Sequence, residues 1–191
     1  MKLQISTLLP SFTLARLGSA GIVMNPASSS VTSVEHTFYG FPDNDPPGAA
    51  TAYNCGGRNF IAGGKGTHDS PLSMASAPGE FNLCEVIYVP YLKKYVRLED
   101  TCAQCIDDWK SGKGHIDMWT GSSTQNGGQQ QIECENALTP DKAQTIIRDP
   151  DPNLEVDAAA LYDPGTGACG TSHTYGARES SHRFEVQGFE L

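Results

Sequence analysis

The densest collection of proton-carrying side chains lies between Cys84 and Trp119. Asp117 stands two residues after His115, with Ile116 and Met118 interleaved. A strand over Gly114 to Trp119 therefore puts the acid and the imidazole on one face and the apolar pair on the other. Asp100 ends a second alternating run that begins at Tyr95. Two carboxyls at strand ends can face one cleft, where burial and like-charge repulsion raise one pKa and keep a proton available for general acid catalysis. Asp117, a strand acid between apolar neighbours, must meet a cleft, a partner or solvent. His115 orients it, and Asp100 leans towards support. Asp43 and Asp45, in the loop after the first strand, are the other acids able to swing towards that cleft. The competing reading has Asp117 accepting backbone amides as part of the scaffold, as paired acids often do. His36, His68 and His115 could in principle hold copper or zinc, but no other feature supports it, so neither metal nor cofactor is expected.

Positioning those groups requires a hairpin, Val86 to Tyr91 and Tyr95 to Asp100, turned by Leu92, Lys93 and Lys94. An aromatic strand, His36 to Gly40, precedes a turn-dense loop that includes Asp43, Asp45, Pro46 and Pro47. Pro71 to Ala77 reads as a short helical turn, Cys102 to Lys113 as a cysteine-pinned corner running into a polar loop, Gln130 to Cys134 as a strand, and Ala143 to Arg148 as the last strand. Gly63-Gly64-Lys65-Gly66 lacks phosphate-loop spacing and reads as a flexible turn.

A chain of 191 residues with 38% apolar residues, 20 Gly and 12 Pro suits one loop-rich β domain. The formal charge of −9 opposes nucleic acid and anionic membrane surfaces and leaves a neutral or cationic polymer as partner. Residues 1–20 resemble a secretory signal, with Pro10 and Arg16 interrupting the apolar centre, and 21–34 read as a flexible leader. The barrel-sized domain then covers 35–150, and 151–191 is an irregular extension whose tail from Ser172 is loosely ordered. Six cysteines, Cys55, Cys84, Cys102, Cys105, Cys134 and Cys169, fit up to three disulfides of a secreted, extracellular monomer, with the connectivity open. Cys102 and Cys105 have zinc spacing but no second pair, and no strand-helix-strand pattern around them suggests a thioredoxin-like role.

Several segments, taken in order, resemble one family. His36-Thr37-Phe38-Tyr39-Gly40 is similar to the first strand of expansin-type barrels, Cys55-Gly56 to their cysteine-glycine bend, and Leu72-Ser73 with Cys84-Glu85-Val86-Ile87 to the approach to their central hairpin. Val96 to Asp100 with Thr101-Cys102, then His115-Ile116-Asp117, resemble the paired strands bearing an Asp and a His-Phe-Asp signature. The resemblance spans residues 36 to 119 and implies a mainly β, six-stranded double-psi β-barrel with disulfides and an irregular C-terminal extension. It extends to expansins, family-45 endoglucanases, barwin-like proteins and lytic transglycosylases, and so implies a cell-wall polysaccharide partner: cellulose, glucan, chitin or peptidoglycan. Asp117 takes the general acid's place. The endoglucanase base position falls on Gly40, so hydrolysis needs Asp43, Asp45 or Asp100 as base, or a lytic route in which one acid serves twice. Tyr39, Tyr53, Trp109 and Trp119 could stack on sugar rings, with Trp119 the preferred platform, Trp109 the second and Thr37 beside them. A non-catalytic carbohydrate-binding or host-interaction protein is the alternative.

Overall fold

A computed structural model describes residues 28–176. The expected signal, 1–20, lies outside the described residues, as does the tail beyond 176. Six strands close into a barrel: β1 Ser29–Tyr39, β2 Leu72–Ser76, β3 Val86–Val89, β4 Lys94–Thr101, β5 His115–Trp119 and β6 Gln144–Arg148, in the spatial order β1-β5-β2-β4-β3-β6. β1 runs parallel to β5 and β2 parallel to β4, while the other neighbours are antiparallel. Closure leaves no unpaired edge. The interior is filled by side chains such as Phe38, Met74, Ile87, Val96, Ile116 and Met118. Residues 29–34, expected to belong to a leader, form the start of β1 and pair with β6.

Three elements differ from the sequence reading. Leu72–Ser76 is a strand rather than a helical turn: its intrinsic preferences are overridden because β4 and β5 bond it on both sides. Ala103–Lys110 is a helix, α1, where a corner and polar loop were expected. Cys102 caps it through a sulfur that accepts the Cys105 N–H, and Ser111 and Gly112 end it. Thus β4, α1 and β5 form a strand-helix-strand unit around Cys102 and Cys105 after all. Gly128–Leu138 is a helix, α2, not a strand. Its buried positions, Gln131, Cys134, Glu135 and Leu138, follow helical spacing, but two of them are polar, so no apolar stripe announces it.

Lys94, expected in the hairpin turn, opens β4 and is buried. Its ammonium survives there because the C-terminal extension wraps over it, offering the carbonyls of Asp157 and of Ala159, the latter at 2.8 Å. Burial pulls its pKa down. The same extension takes a hydrogen bond from Tyr88 at Glu155, gives one to Tyr95 from Leu154, and forms a two-stranded ribbon of β7 Tyr162–Asp163 and β8 Ala168–Cys169. Part of the tail expected to be loose is tied down: Thr171–His173 makes a 3-10 turn, and His173 and Tyr175 both hold Asp157, at 2.7 and 2.8 Å.

Three disulfides brace the domain: Cys55–Cys84, Cys102–Cys105 and Cys134–Cys169. The last staples the extension to α2 across 35 residues. Replacing both Cys134 and Cys169 by Ser is expected to cost about 2–5 kcal/mol in denaturant unfolding. It should also shift the emission of Trp119, which the extension covers, to the red.

Candidate active site on the outer barrel face

The parallel register pairs Thr37 with Asp117, and the antiparallel one pairs Asp117 with Ala75. Ala75 in turn faces Asp100, so one transverse row crosses four strands as Thr37, Asp117, Ala75, Asp100. The sequence alternation of Val96, Leu98 and Asp100 would have sent Asp100 into the barrel. A bulge opposite Met74 and Ala75 inserts Glu99 as an extra residue and turns Asp100 outward beside Asp117. Two strand spacings then separate the Cα atoms of the two acids by about 9–10 Å.

The two carboxyls differ in their commitments. Asp100 is buried and accepts from the amides of Ala52 and Thr101, at 3.0 and 2.9 Å, and from the Tyr39 hydroxyl at 3.3 Å. It is a scaffold acid, with a pKa that burial raises and those donors restrain. Asp117 is half-buried and, among the described residues, receives a single hydrogen bond, from Thr37 Oγ1 at 2.8 Å. Burial lifts its pKa to about 7, and the charges of Asp43 and Asp100 push the same way against the Thr37 bond.

Thr37 links Asp117 to an imidazole. His115 Nε2 lies 2.9 Å from the same Thr37 oxygen, and its Nδ1 lies 2.7 Å from Asp108 Oδ2 on α1. The Asp108 carboxylate accepts, so Nδ1 carries a proton, and two arrangements of the chain satisfy every group. Either Asp117 is ionised, Thr37 donates to it and Nε2–H donates to Thr37; or Asp117 holds the proton and donates to Thr37, whose own hydrogen goes to a bare Nε2. The two differ only by a proton passed along Asp117, Thr37 and His115. His115 thus orients the acid through Thr37, and Thr37, expected to touch substrate, has its hydroxyl engaged by both partners. Asp108 holds the imidazole in place.

Gly40, the empty base position, has a neighbour that the sequence pattern hides. A Cβ at Gly40 would sit 1.9 Å from Gln131 Nε2 and 2.6 Å from Glu135 Oε1, so α2 delivers a carboxyl to the space that a side chain at the end of β1 would take. Glu135 is 3% exposed; its Oε1 accepts from Thr120 at 2.7 Å, while Oε2 has no donor. Burial, then the charge of Asp43, raises its pKa to about 8, so Glu135 holds a proton at neutrality. Asp43 also accepts from the Gly40 amide at 2.9 Å; it and Asp45 are both exposed in the same loop, the amide of Asp45 held by Asn44. Only the helical period of α2 could have signalled Glu135.

Of the four expected sugar platforms, Tyr39 and Trp119 are core residues. Trp119 is 1% exposed and stacks edge-on against the buried Tyr39, with ring centroids 5.3 Å apart. Both follow Thr37 and Asp117 on the outer face, but other elements cover them. Trp109 is 41% exposed on α1, where with Val31, Phe81 and Ile146 it lines a cavity of about 270 Å³ that does not include Asp117. Tyr53 is half-buried in a loop. The three histidines considered for a metal are apart: His36 lies inside the barrel, its pKa lowered to about 4 by burial, while His68 is exposed against Tyr95 and His115 faces outward.

These features define a disulfide-braced, closed six-stranded barrel with a proton-handling row on its outer face. The chain belongs to the family described as the DDB_G0273701 N-terminal domain, which matches residues 31–170. It is 39% identical over 158 residues to the uncharacterized protein DDB_G0273701/DDB_G0273221 of Dictyostelium discoideum, covering 82% of this chain and 68% of that protein. No solved structure matches the chain.

Gly40→Ala should cost about 1–3 kcal/mol in denaturant unfolding, because the new methyl group must displace Gln131, which donates at 3.2 Å to Thr120. Adding Gln131→Ala should recover part of that loss, a coupling that a double-mutant cycle measures.

Proposed function

We propose that this chain is a secreted protein acting on cell-wall polysaccharide, with Asp117 as the proton donor in cleavage of a glycosidic bond. The observation that carries the reading is the carboxyl of Asp117, protonated up to about pH 7 and joined through Thr37 to His115. Protonation of the glycosidic oxygen by Asp117 lets the carbon-oxygen bond break with its electron pair on the leaving oxygen. A nucleophilic hydroxyl then adds to the sugar carbon and returns its proton to the Asp117 carboxylate. An inverting hydrolase would need a free second carboxylate about 6.5–9.5 Å away. Asp100 is occupied by three donors, Glu135 is itself protonated and the exposed Asp43 is tied to the Gly40 amide, so the single-acid route, with a hydroxyl of the substrate as nucleophile, fits best.

The expansin-like resemblance supports a glycan as substrate, and three disulfides suit an oxidising, extracellular setting. Among the described residues, no helix is long and apolar enough to cross a membrane. A purely carbohydrate-binding role has less support, since Tyr39 and Trp119 are buried and Trp109 stands at a different cavity.

The test is incubation with cellulose, β-glucan, chitin and peptidoglycan, followed by assay of reducing ends and anhydro-sugars. Asp117→Asn should lower product release at least about 100-fold. No product from any polymer, or an unchanged rate in Asp117→Asn, would falsify the proposal. Activity should fall as pH rises through about 7, where Asp117 loses its proton.

Stability carries a linked signature. The folded pKa of about 7 exceeds the ordinary carboxyl value of about 3.9, so this group's contribution is complete below the lower value and lost as pH rises through the upper one. Relative to wild type, Asp117→Asn should therefore melt higher at pH 8 than at pH 4. A gain of about 3 °C would correspond to roughly 1 kcal/mol in a chain of this size.

A further inference from the structure

We propose that Cys102–Cys105 is a redox-active disulfide that exchanges with dithiols, a role that has His115 and Asp108 as neighbours in common with the Asp117 chain but does not depend on Asp117 as proton donor. The other two bridges span 29 and 35 residues and close long loops, the arrangement in which a crosslink constrains the unfolded chain most. Cys102–Cys105 spans three, within a turn already closed by the Ile106 N–H donating to the Cys102 carbonyl at 3.0 Å. It adds least to the fold.

Its surroundings suit sulfur chemistry. Cys102 is the N-cap of the eight-residue α1, and its sulfur accepts the Cys105 N–H at 3.0 Å, so a thiolate released there is stabilised by a donor and by the positive end of the helix. The pair is asymmetric: Cys105 is fully buried, whereas Cys102 keeps 9% of its surface, between exposed Thr101 and exposed Ala103. An incoming thiolate therefore reaches Cys102. Independently of the helix, a ring nitrogen of buried His115 lies within 4.8 Å of both sulfurs, and Asp108, one turn beyond Cys105, fixes that imidazole.

The exchange balances as follows. A dithiol, one thiol having lost its proton to solvent, attacks the Cys102 sulfur as the thiolate; the disulfide breaks, its electron pair goes to Cys105, and that thiolate takes a proton from solvent. The second thiol of the reagent then attacks the reagent's own sulfur in the mixed disulfide and expels Cys102. The reagent leaves as a disulfide, and the protein has gained two electrons and two protons. In reverse, the reduced pair reduces a disulfide.

The experiment titrates the folded wild-type protein with dithiothreitol, traps thiols with an alkylating reagent and maps them by mass spectrometry. Circular dichroism reports folding at each step. The expected result is that Cys102–Cys105 opens at a dithiothreitol concentration at least about tenfold below that needed for Cys55–Cys84 or Cys134–Cys169, with the fold retained. Cys102 should be alkylated at least tenfold faster than Cys105, and remain reactive below the ordinary cysteine pKa of about 8.5. Three bridges opening together, or equal reactivity of the two thiols, would overturn the proposal. So would stoichiometric uptake of Zn²⁺ by the reduced protein that blocks alkylation, which would make Cys102, Cys105 and His115 a metal site instead.

Discussion

The register of β1 against β5 is the constraint on which the rest depends. Pairing His36 with Ile116 and Phe38 with Met118 sends those four side chains into the barrel and sends Thr37, Tyr39, Asp117 and Trp119 out. A slip of one residue would put Thr37 and Tyr39 where apolar packing is required and strip Asp117 of its one hydrogen-bond donor. Because the pair is parallel, the chain must cross over between its members, and the crossover includes α1 with Asp108 and the two cysteines. The link from Asp117 through Thr37 and His115 to Asp108 is thus a product of strand pairing and of a helix that the crossover carries.

Differences among the buried acids follow from which cations the fold supplies. Glu99 is almost completely buried, yet Arg58 and Arg97 both reach it, the latter at 2.7 Å, and Ser73 donates to it as well. Desolvation of that carboxylate is offset by two guanidinium groups. Asp117 and Glu135 have hydroxyl donors but no cation beside them in the described residues, so burial wins and each keeps its proton to unusually high pH. The bulge at Glu99 separates the two regimes. It turns Glu99 towards the arginines and Asp100 towards Asp117 in consecutive residues, which a regular strand could not do.

Much of this barrel was legible in local pattern. The hairpin over Val86 to Asp100 and the two-faced strand over Gly114 to Trp119 alternate, the final strand carries the β-branched pair Ile146 and Ile147, and all are strands. The failures occur where tertiary contacts override or conceal the pattern. Ser73 and Ser76 break the apolar run of β2 because each is buried against a carboxylate, Glu99 and Glu80 respectively. In α2, Gln131 and Glu135 occupy core positions because Thr120 and the space over Gly40 give them partners. Asp108 reads as one more loop acid until α1 turns it onto His115. For Trp119, spacing placed the ring correctly on the face of Asp117, but no local signal foretold that a segment some forty residues later would cover it.

That covering also explains why Asp117 alone among the outward residues of β5 stays half-exposed. Over His115 lies α1, which contributes Asp108, and over Trp119 lies the C-terminal extension, whose Ala158 to Tyr162 line a cavity of about 190 Å³ together with Trp119 and Lys94. Between these two covers Tyr39 reaches across from β1 to Asp100, the Ala52 amide of the loop after β1 meets the same carboxyl, and Ala75 contributes no bulk. A larger residue at Ala75 would fill the space between the acids, while a smaller one at Tyr39 would free an oxygen of Asp100 and bring water to both. The half-exposure of Asp117 is therefore set by α1, a stapled extension and the smallness of one residue in the row.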